Sequence, residues 1–170
     1  MNVDETRTSL RPVVGTHLRV LVLGSMPGEE SRRIEQYYAH KRNRFWRVMG
    51  DLLGFDPTTE YAERIEELTR HGVGLWDVLR ACERHGSLDS KIRRESEVPN
   101  AIGELVQNNE SLALVALNGG KAAEVFHRRI APVPRLVNIV QLPSTSPANA
   151  AVPYDALRKV WGDSLMPYLR

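Results

Sequence analysis

The sequence predicts an α/β domain of three layers, with helices packed on both faces of a central four-stranded parallel sheet. Three observations carry this prediction. Four short aliphatic runs, Leu18 to Leu23, Val73 to Val78, Leu112 to Leu117 and Val137 to Leu142, have strand length and are apolar on both faces, as buried parallel strands must be. Stretches of helical period lie between these runs. The alternation of strand and helix then repeats along the chain, which is the order that crossover connections turn into a parallel sheet.

Taken in order, residues 1–17 are polar, contain Pro12 and Gly15 and show no sustained period, so they read as a loosely ordered lead-in to one domain over 18–170. The first strand runs into a Gly/Pro turn, Gly24 to Ser31, ahead of a helix. Asn43 to Leu53 places Trp46, Met49 and Leu53 on one stripe, with Phe45 and Trp46 as core. Tyr61, Ile65 and Leu68 form a second stripe that stops at Gly72, a suitable helix-ending glycine. Pro99 is placed to open a helix that buries Ile102, Leu105 and Val106. Gly120 to Ile130 buries Ala123, Phe126 and Ile130, and Tyr154 to Leu165 buries Leu157, Val160 and Trp161.

Composition narrows the function classes. A chain of 170 residues suffices for one substantial core. No apolar run approaches the roughly 18 to 20 residues that span a bilayer, and Met1 to Arg7 lacks the basic-then-apolar order of a secretory signal. These features predict a soluble, intracellular protein that is no membrane partner. The single cysteine, Cys82, cannot form an internal disulfide or alone hold zinc or an iron–sulfur cluster, and nothing in the sequence demands a metal or cofactor. A net charge of +2 nominates no partner unless it is concentrated on one face.

Open parallel sheets bind ligands beyond the carboxyl ends of their strands, which directs attention to four segments. Gly24-Ser25-Met26-Pro27-Gly28 can turn backbone N–H groups towards an anion or carbonyl, although by itself it is equally a tight turn. It lacks the spacing of a phosphate-binding P-loop or a dinucleotide fingerprint. Asp77 ends the second run. Asn118-Gly119-Gly120-Lys121 sets amides and a lysine at a helix start, and Pro143 to Asn149 places Ser144, Thr145 and Ser146 between two prolines, a rigid polar loop or a plain surface turn. Between the first two strands, Tyr37 to Gly50 interleaves aromatic residues with Lys41, Arg42, Arg44 and Arg47 and contains no acid. Phosphate attraction beside stacking rings suits single-stranded or flipped-base recognition, whereas a solvated basic helix face is the plainer alternative. Tyr37, Tyr38, His40 and Asn43 precede the helix body and have no evident core duty. Cys82 and His85 lack further ligands, and no serine-hydrolase elbow or zinc-protease motif occurs.

Together, in chain order, these segments resemble the uracil-DNA glycosylase superfamily, and within it the hypoxanthine-DNA glycosylase branch. The resemblance covers about Leu18 to Trp161 and rests on six ordered pieces: Gly-Ser-Met-Pro-Gly at 24–28, Tyr-Tyr-Ala-His-Lys-Arg-Asn-Arg-Phe-Trp at 37–46, Gly-Leu-Trp-Asp-Val at 74–78, Gly-Ser-Leu-Asp-Ser at 86–90, Asn-Gly-Gly-Lys at 118–121 and Leu-Pro-Ser-Thr-Ser-Pro-Ala-Asn at 142–149. It departs at Lys41, where that branch usually carries proline. The resemblance implies a uracil-DNA glycosylase-like fold and a metal-free, monofunctional enzyme of base excision repair. Such an enzyme flips a deaminated base out of DNA and hydrolyses its N-glycosidic bond. By motif position, Gly24, Ser25, Met26 and Pro27 would line the base carbonyl, Tyr38 would stack on the base and Asp77 would face its edge. Many superfamily members hold the attacking water with Asp or Asn in the first motif; Met26 occupies that place here. The hypoxanthine branch points instead to Asn43, an amide that orients water without being a strong base, with His40 as an electrophile near the base. Lys41, Arg42, Lys121, Ser144, Thr145 and Ser146 would contact DNA, and the protein would act as a monomer, at the nucleoid when working. A uracil-directed enzyme of the same superfamily and a non-catalytic nucleobase-binding module are the alternatives.

Overall fold

The structure, a computed structural model, describes residues 6–169. Strand β1 (Thr6–Thr8) is followed by β2 (Val20–Gly24), helices α1 (Glu29–Ile34), α2 (Phe45–Leu53) and α3 (Tyr61–Arg70), and strands β3 (Val73–Asp77) and β4 (Leu79–Glu83). Then come β5 (Val98–Pro99), α4 (Ile102–Asn108), β6 (Leu114–Asn118), α5 (Gly120–Val125), β7 (Asn138–Leu142) and α6 (Tyr154–Leu165). The strands β3, β2, β6 and β7 lie side by side in that order, every pair parallel. The predicted four-stranded parallel sheet is therefore present, each strand within two residues of its expected limits.

The three layers follow from alternation within the central strands. Leu21 and Leu23 of β2, with Val115 and Leu117 of β6, share a core with Ile102 and Val106 of α4 and Ala122 of α5. Their neighbours Val20, Val22, Leu114 and Ala116 point the other way, into a core with Phe45 and Met49 of α2, Leu68 of α3 and Leu157 and Trp161 of α6. Every residue of β2 and β6 is buried, so these strands carry no polar face. Each such Val or Leu side chain contributes about 1.5 to 3 kcal/mol on burial.

The structure corrects three expectations and adds one feature that none of them named. Residues 6–17 are not a loose lead-in: β1 pairs antiparallel with β4, and Val13 exchanges backbone hydrogen bonds of 2.8 and 2.9 Å with Leu75. Gly74 allows that approach, because a side-chain carbon there would lie 2.7 Å from the Val13 carbonyl oxygen. Residues 1–5 of the expected lead-in lie outside the described residues. Second, β1, β4 and β5 make a small antiparallel sheet that periodicity does not reveal, since its strands have three, five and two residues. Third, Pro99 belongs to β5 rather than opening a helix; α4 begins at Ile102, and Leu105 is only half-buried. Buried Asn100 explains the delay, because its Nδ2 donates to the carbonyls of Asp77 and Leu79 and holds the chain extended. Fourth, the α5 region widens beyond Val125, with Ala131 N–H reaching the Phe126 carbonyl, so Ile130 is half-buried; in α6 the buried stripe is Leu157, Trp161 and Leu165, while Val160 is 43% exposed.

Candidate active site

All four parallel strands end on one cleft of about 1190 Å³. β2 delivers Gly24, β3 delivers Asp77, β6 delivers Asn118 and β7 delivers Leu142, and the loops that follow supply most of the wall. Parallel strands in register make this convergence unavoidable, and the first wall is the loop Gly24 to Gly28.

That loop is held from behind. Its Gly24 and Ser25 carbonyls accept from the Val78 and Leu79 N–H groups at 2.8 and 3.2 Å. Arg84, fully buried, donates from Nη2 to the Pro27 carbonyl at 2.5 Å, while its Nε and Nη1 have no hydrogen-bond partner. Ser25 Oγ donates to Asp89 Oδ1 at 2.5 Å, and Glu29 N–H donates to Ser87 Oγ at 2.9 Å. Segment 84–89 thus clamps the loop at three points, and Ser87 to Ser90 form a further wall of the cleft. Sequence reasoning used Gly86 to Ser90 only for the resemblance and assigned it no part in the site. Its cluster of small polar residues beside a glycine was the available signal.

Asp77 lies at the bottom, 4% exposed. A side-chain carbon on Gly24 would sit 2.6 Å from Asp77 Oδ1 and 3.3 Å from the Tyr38 hydroxyl, so only glycine leaves room for this convergence. Asp77 Oδ2 has no hydrogen-bond partner among the described residues, and both it and the Tyr38 hydroxyl are sealed from solvent. Burial, reinforced by the like charge of Asp89 and opposed by Arg84, pushes the Asp77 carboxyl up to about 7. Asp89 is exposed as a residue, but its carboxyl turns inward to Ser25; the protein around it raises its pKa as well.

The two adjacent tyrosines part company. Tyr37 is a core residue, 4% exposed, and its hydroxyl donates to the Arg11 carbonyl at 2.7 Å; the expectation that it lacks a core duty is corrected. Tyr38 adopts a left-handed backbone at φ 55°, an uncommon and costly conformation for a residue with a side chain. That turn brings its ring into the cleft wall, stacked on buried Phe45 at 4.1 Å between centroids and 27° between planes. Burial raises the Tyr38 phenol above its ordinary range, with the Asp77 charge adding to the effect, so it stays protonated.

His40, Arg42 and Asn43 line the same cleft from the turn before α2. Asn43 Oδ1 accepts from the Phe45 N–H at 2.9 Å, engaging the first N–H of α2, which leaves its NH2 group and a second lone pair on Oδ1 for a ligand. His40 Nδ1 accepts from the Arg42 N–H at 3.1 Å, so the neutral ring carries its proton on Nε2. The basic run divides in two. Arg44 donates to the carbonyls of Val152 and Asn149 at 2.6 and 3.0 Å, tying down the 143–152 loop, and the Arg47 guanidinium covers the Tyr154 ring at 3.6 Å. Lys41 and Arg42 remain exposed, and only Arg42 lines the cleft.

Opposite them, Thr145 is fully buried and clamped by Asn118, whose Oδ1 accepts from Thr145 N–H at 3.1 Å and whose Nδ2 donates to Thr145 Oγ1 at 3.0 Å. Ser144 and Ser146 are half-buried on the cleft wall. Lys121 is not brought to the cleft. Its ammonium lies 2.7 Å from Glu97 and 3.1 Å from Glu124, in a separate cluster that includes Arg128 and Arg129. Among the described residues, no group of three or more His, Cys, Asp or Glu side chains is placed to hold a metal ion, and no helix is long and apolar enough to cross a membrane.

The cleft therefore offers a ring platform, a rigid loop of backbone groups, a buried carboxyl and an amide beside a histidine. Comparison with known proteins identifies the family. The family model for the Uracil DNA glycosylase superfamily matches residues 12–164. A protein from Methanosarcina barkeri named Hypoxanthine DNA glycosylase is 42% identical over 114 residues, 66% of this chain and 71% of its own. One of the same name from Methanosarcina acetivorans is 39% identical over 113 residues, 66% and 70% of the two chains. The solution NMR structure of a Methanosarcina acetivorans protein provisionally assigned as a uracil DNA glycosylase superposes with a TM-score of 0.80 at 31% identity, over 94% of this chain and 96% of that one. On the strength of the family match and the shared fold, this chain belongs to the uracil DNA glycosylase superfamily.

Proposed function

We propose that this DNA glycosylase removes hypoxanthine from deoxyinosine in DNA, leaving an abasic site, and that it acts as a soluble, intracellular single-domain monomer. The observation that carries the reading is the convergence of the Gly24 loop, Tyr38, Asp77 and the His40–Asn43 turn on one cleft at the strand ends. Two relatives named Hypoxanthine DNA glycosylase favour hypoxanthine as the base.

A base inside a duplex is out of reach, so it is flipped into the cleft and stacked on the Tyr38 ring, which Phe45 backs from the other side. Ser25 and Met26 line the base carbonyl and Asp77 meets the base edge. Bond breaking leaves positive charge on the sugar and negative charge on the base, and preorganised dipoles stabilise that separation without reorganising. Asn43 orients the attacking water through its free amide group. His40, its Nδ1 engaged by the Arg42 N–H, presents Nε2–H as a donor near the base. Arg42, with Lys41 at the rim, attracts the backbone, and Ser144 and Ser146 contact phosphates on the opposite side. Thr145 acts one step back, as the buried pin of that loop, and Lys121 is left out because Glu97 and Glu124 already neutralise it.

The test is strand nicking after alkali on duplexes carrying deoxyinosine, deoxyuridine, deoxyxanthosine or no lesion. Nicking at deoxyinosine is expected. Nicking at deoxyuridine alone would make the enzyme uracil-directed, and no nicking on any duplex would leave a nucleobase-binding module.

A further inference from the structure

We propose that Asp77 works as a neutral carboxylic acid, donating a hydrogen bond from its cleft-facing carboxyl oxygen to the exocyclic oxygen of the departing base. The inference rests on the glycosylase reading above and adds a protonation state and a role to one residue of that site.

The geometry carries it. Asp77 is buried, and among the described residues no cation is paired with its carboxyl group and no donor reaches its Oδ2. Oδ2 is sealed without a partner, while Oδ1 lies against Gly24 on the cleft wall. A carboxylate taken from water into such a place loses its hydration and gains nothing in return, so the neutral acid is the favoured form. The groups facing it do not reverse this. The loop of β2 presents Ser25, whose hydroxyl is turned to Asp89. The segment before α2 presents the Tyr37 and Tyr38 phenols, both held protonated by burial. His40 lines the same cleft with its Nδ1 engaged by the Arg42 N–H, and β6 ends in the uncharged amide of Asn118. Beyond β4, Asp89 adds a like charge and Arg84 an opposing one, and Arg84 spends its hydrogen bond on the Pro27 carbonyl.

Neutrality has a chemical use. As the C1′–N bond breaks, its electron pair leaves with the base and spreads onto the exocyclic oxygen. The water oxygen bonds to C1′, and the proton it loses ends on the base, so the products are an abasic sugar and a neutral base. A carboxylate at the cleft floor would repel the transient anion. An acid hydrogen donated to that oxygen stabilises it.

The experiment follows single-turnover base release from a deoxyinosine duplex between about pH 6 and 8, with enzyme below saturation so that the rate reports the free protein. Wild type and Asp77→Asn are compared, since Asn supplies a permanently neutral donor of the same shape. The wild-type rate should fall by roughly tenfold per pH unit once the acid has titrated, and the ratio of variant to wild type should climb by that factor. Carboxyl carbon NMR of the free protein should place the Asp77 midpoint in the same range. A falling limb that persists in Asp77→Asn would assign the titration to His40 or the base and overturn the proposal. A wild-type rate that rises with pH would require a carboxylate and overturn it too. Absence of base release by wild type at every pH would instead remove the glycosylase reading, and this proposal with it.

Discussion

Asp77 and Glu97 are two buried carboxyl groups that the fold treats in opposite ways. The Glu97 side chain is fully buried and meets Lys121 at 2.7 Å, Arg128 at 2.6 Å and Arg129 at 3.3 Å. Burial alone would push its carboxyl upward, but Lys121 and Arg128 outweigh that and hold it below the ordinary glutamate range. Asp77 is as thoroughly enclosed and has no such partner. The difference lies in what surrounds each group rather than in depth. A buried acid supplied with cations is a structural anchor, and one denied them becomes a proton carrier at the bottom of a cleft.

The sharpest break of this comparison is in stability against pH. Asp77 has its folded pKa raised above the unfolded value, so the native state holds an extra proton between about pH 4 and 7 and loses stability as pH rises through that window. Asp77→Asn removes the loss. Relative to wild type it should gain with rising pH, by on the order of 4 kcal/mol at full ionisation and almost nothing near pH 4, in urea titrations. Glu97→Gln should move the other way. Its folded pKa is depressed, so its contribution is present above the unfolded value and fades as pH falls through the folded one. Near neutral pH the substitution removes the carboxylate that Lys121, Arg128 and Arg129 share and leaves Glu124 to pair with Lys121 and Arg128, at a cost of about 2 to 3 kcal/mol, and it should leave base release per folded molecule unchanged. Parallel pH slopes for the two variants would erase the distinction.

A smaller effect separates the two clusters through salt. Arg42→Ala should lower the salt slope of DNA binding by about one, as loss of one phosphate contact does, while Lys121→Ala should leave the slope as it was because its charge is spent on Glu97 and Glu124. Equal slopes for the two variants would mean that Lys121 turns outward when DNA binds.

How much of this is legible in the sequence depends on the range of the interaction. β2 and β6 are readable because burial on both faces leaves unbroken aliphatic runs, and parallel order follows from the helices between them. The antiparallel sheet is not, since Thr6 to Thr8 is polar and β4 continues the run of β3 across a single residue, Val78. Strand ends identify the cleft, so Gly24, Asp77 and the 143–149 loop are found by topology alone. The state of Asp77 is invisible there, because it depends on Asp89, which contacts Ser25 across 64 positions, and on Arg84 being used elsewhere. Lys121 is misplaced for the same reason: Glu97, 24 residues away, claims it. Tyr37 and Tyr38 are the same residue type side by side, and the sequence does not show that Tyr37 is buried with its hydroxyl on the Arg11 carbonyl while Tyr38, in a left-handed turn, stacks its ring on Phe45.

The central claim is that the cleft at the strand ends is where the glycosidic bond is cut, with Asn43 orienting the water. Single-turnover release of hypoxanthine by Asn43→Ala, measured beside its affinity for the same deoxyinosine duplex, tests it most directly. Losing the hydrogen bond to the Phe45 N–H costs about 1 kcal/mol of stability, which the fold should survive. Release should then fall by about a hundredfold or more while affinity stays near that of wild type. Release at the wild-type rate would contradict the account and place the chemistry elsewhere.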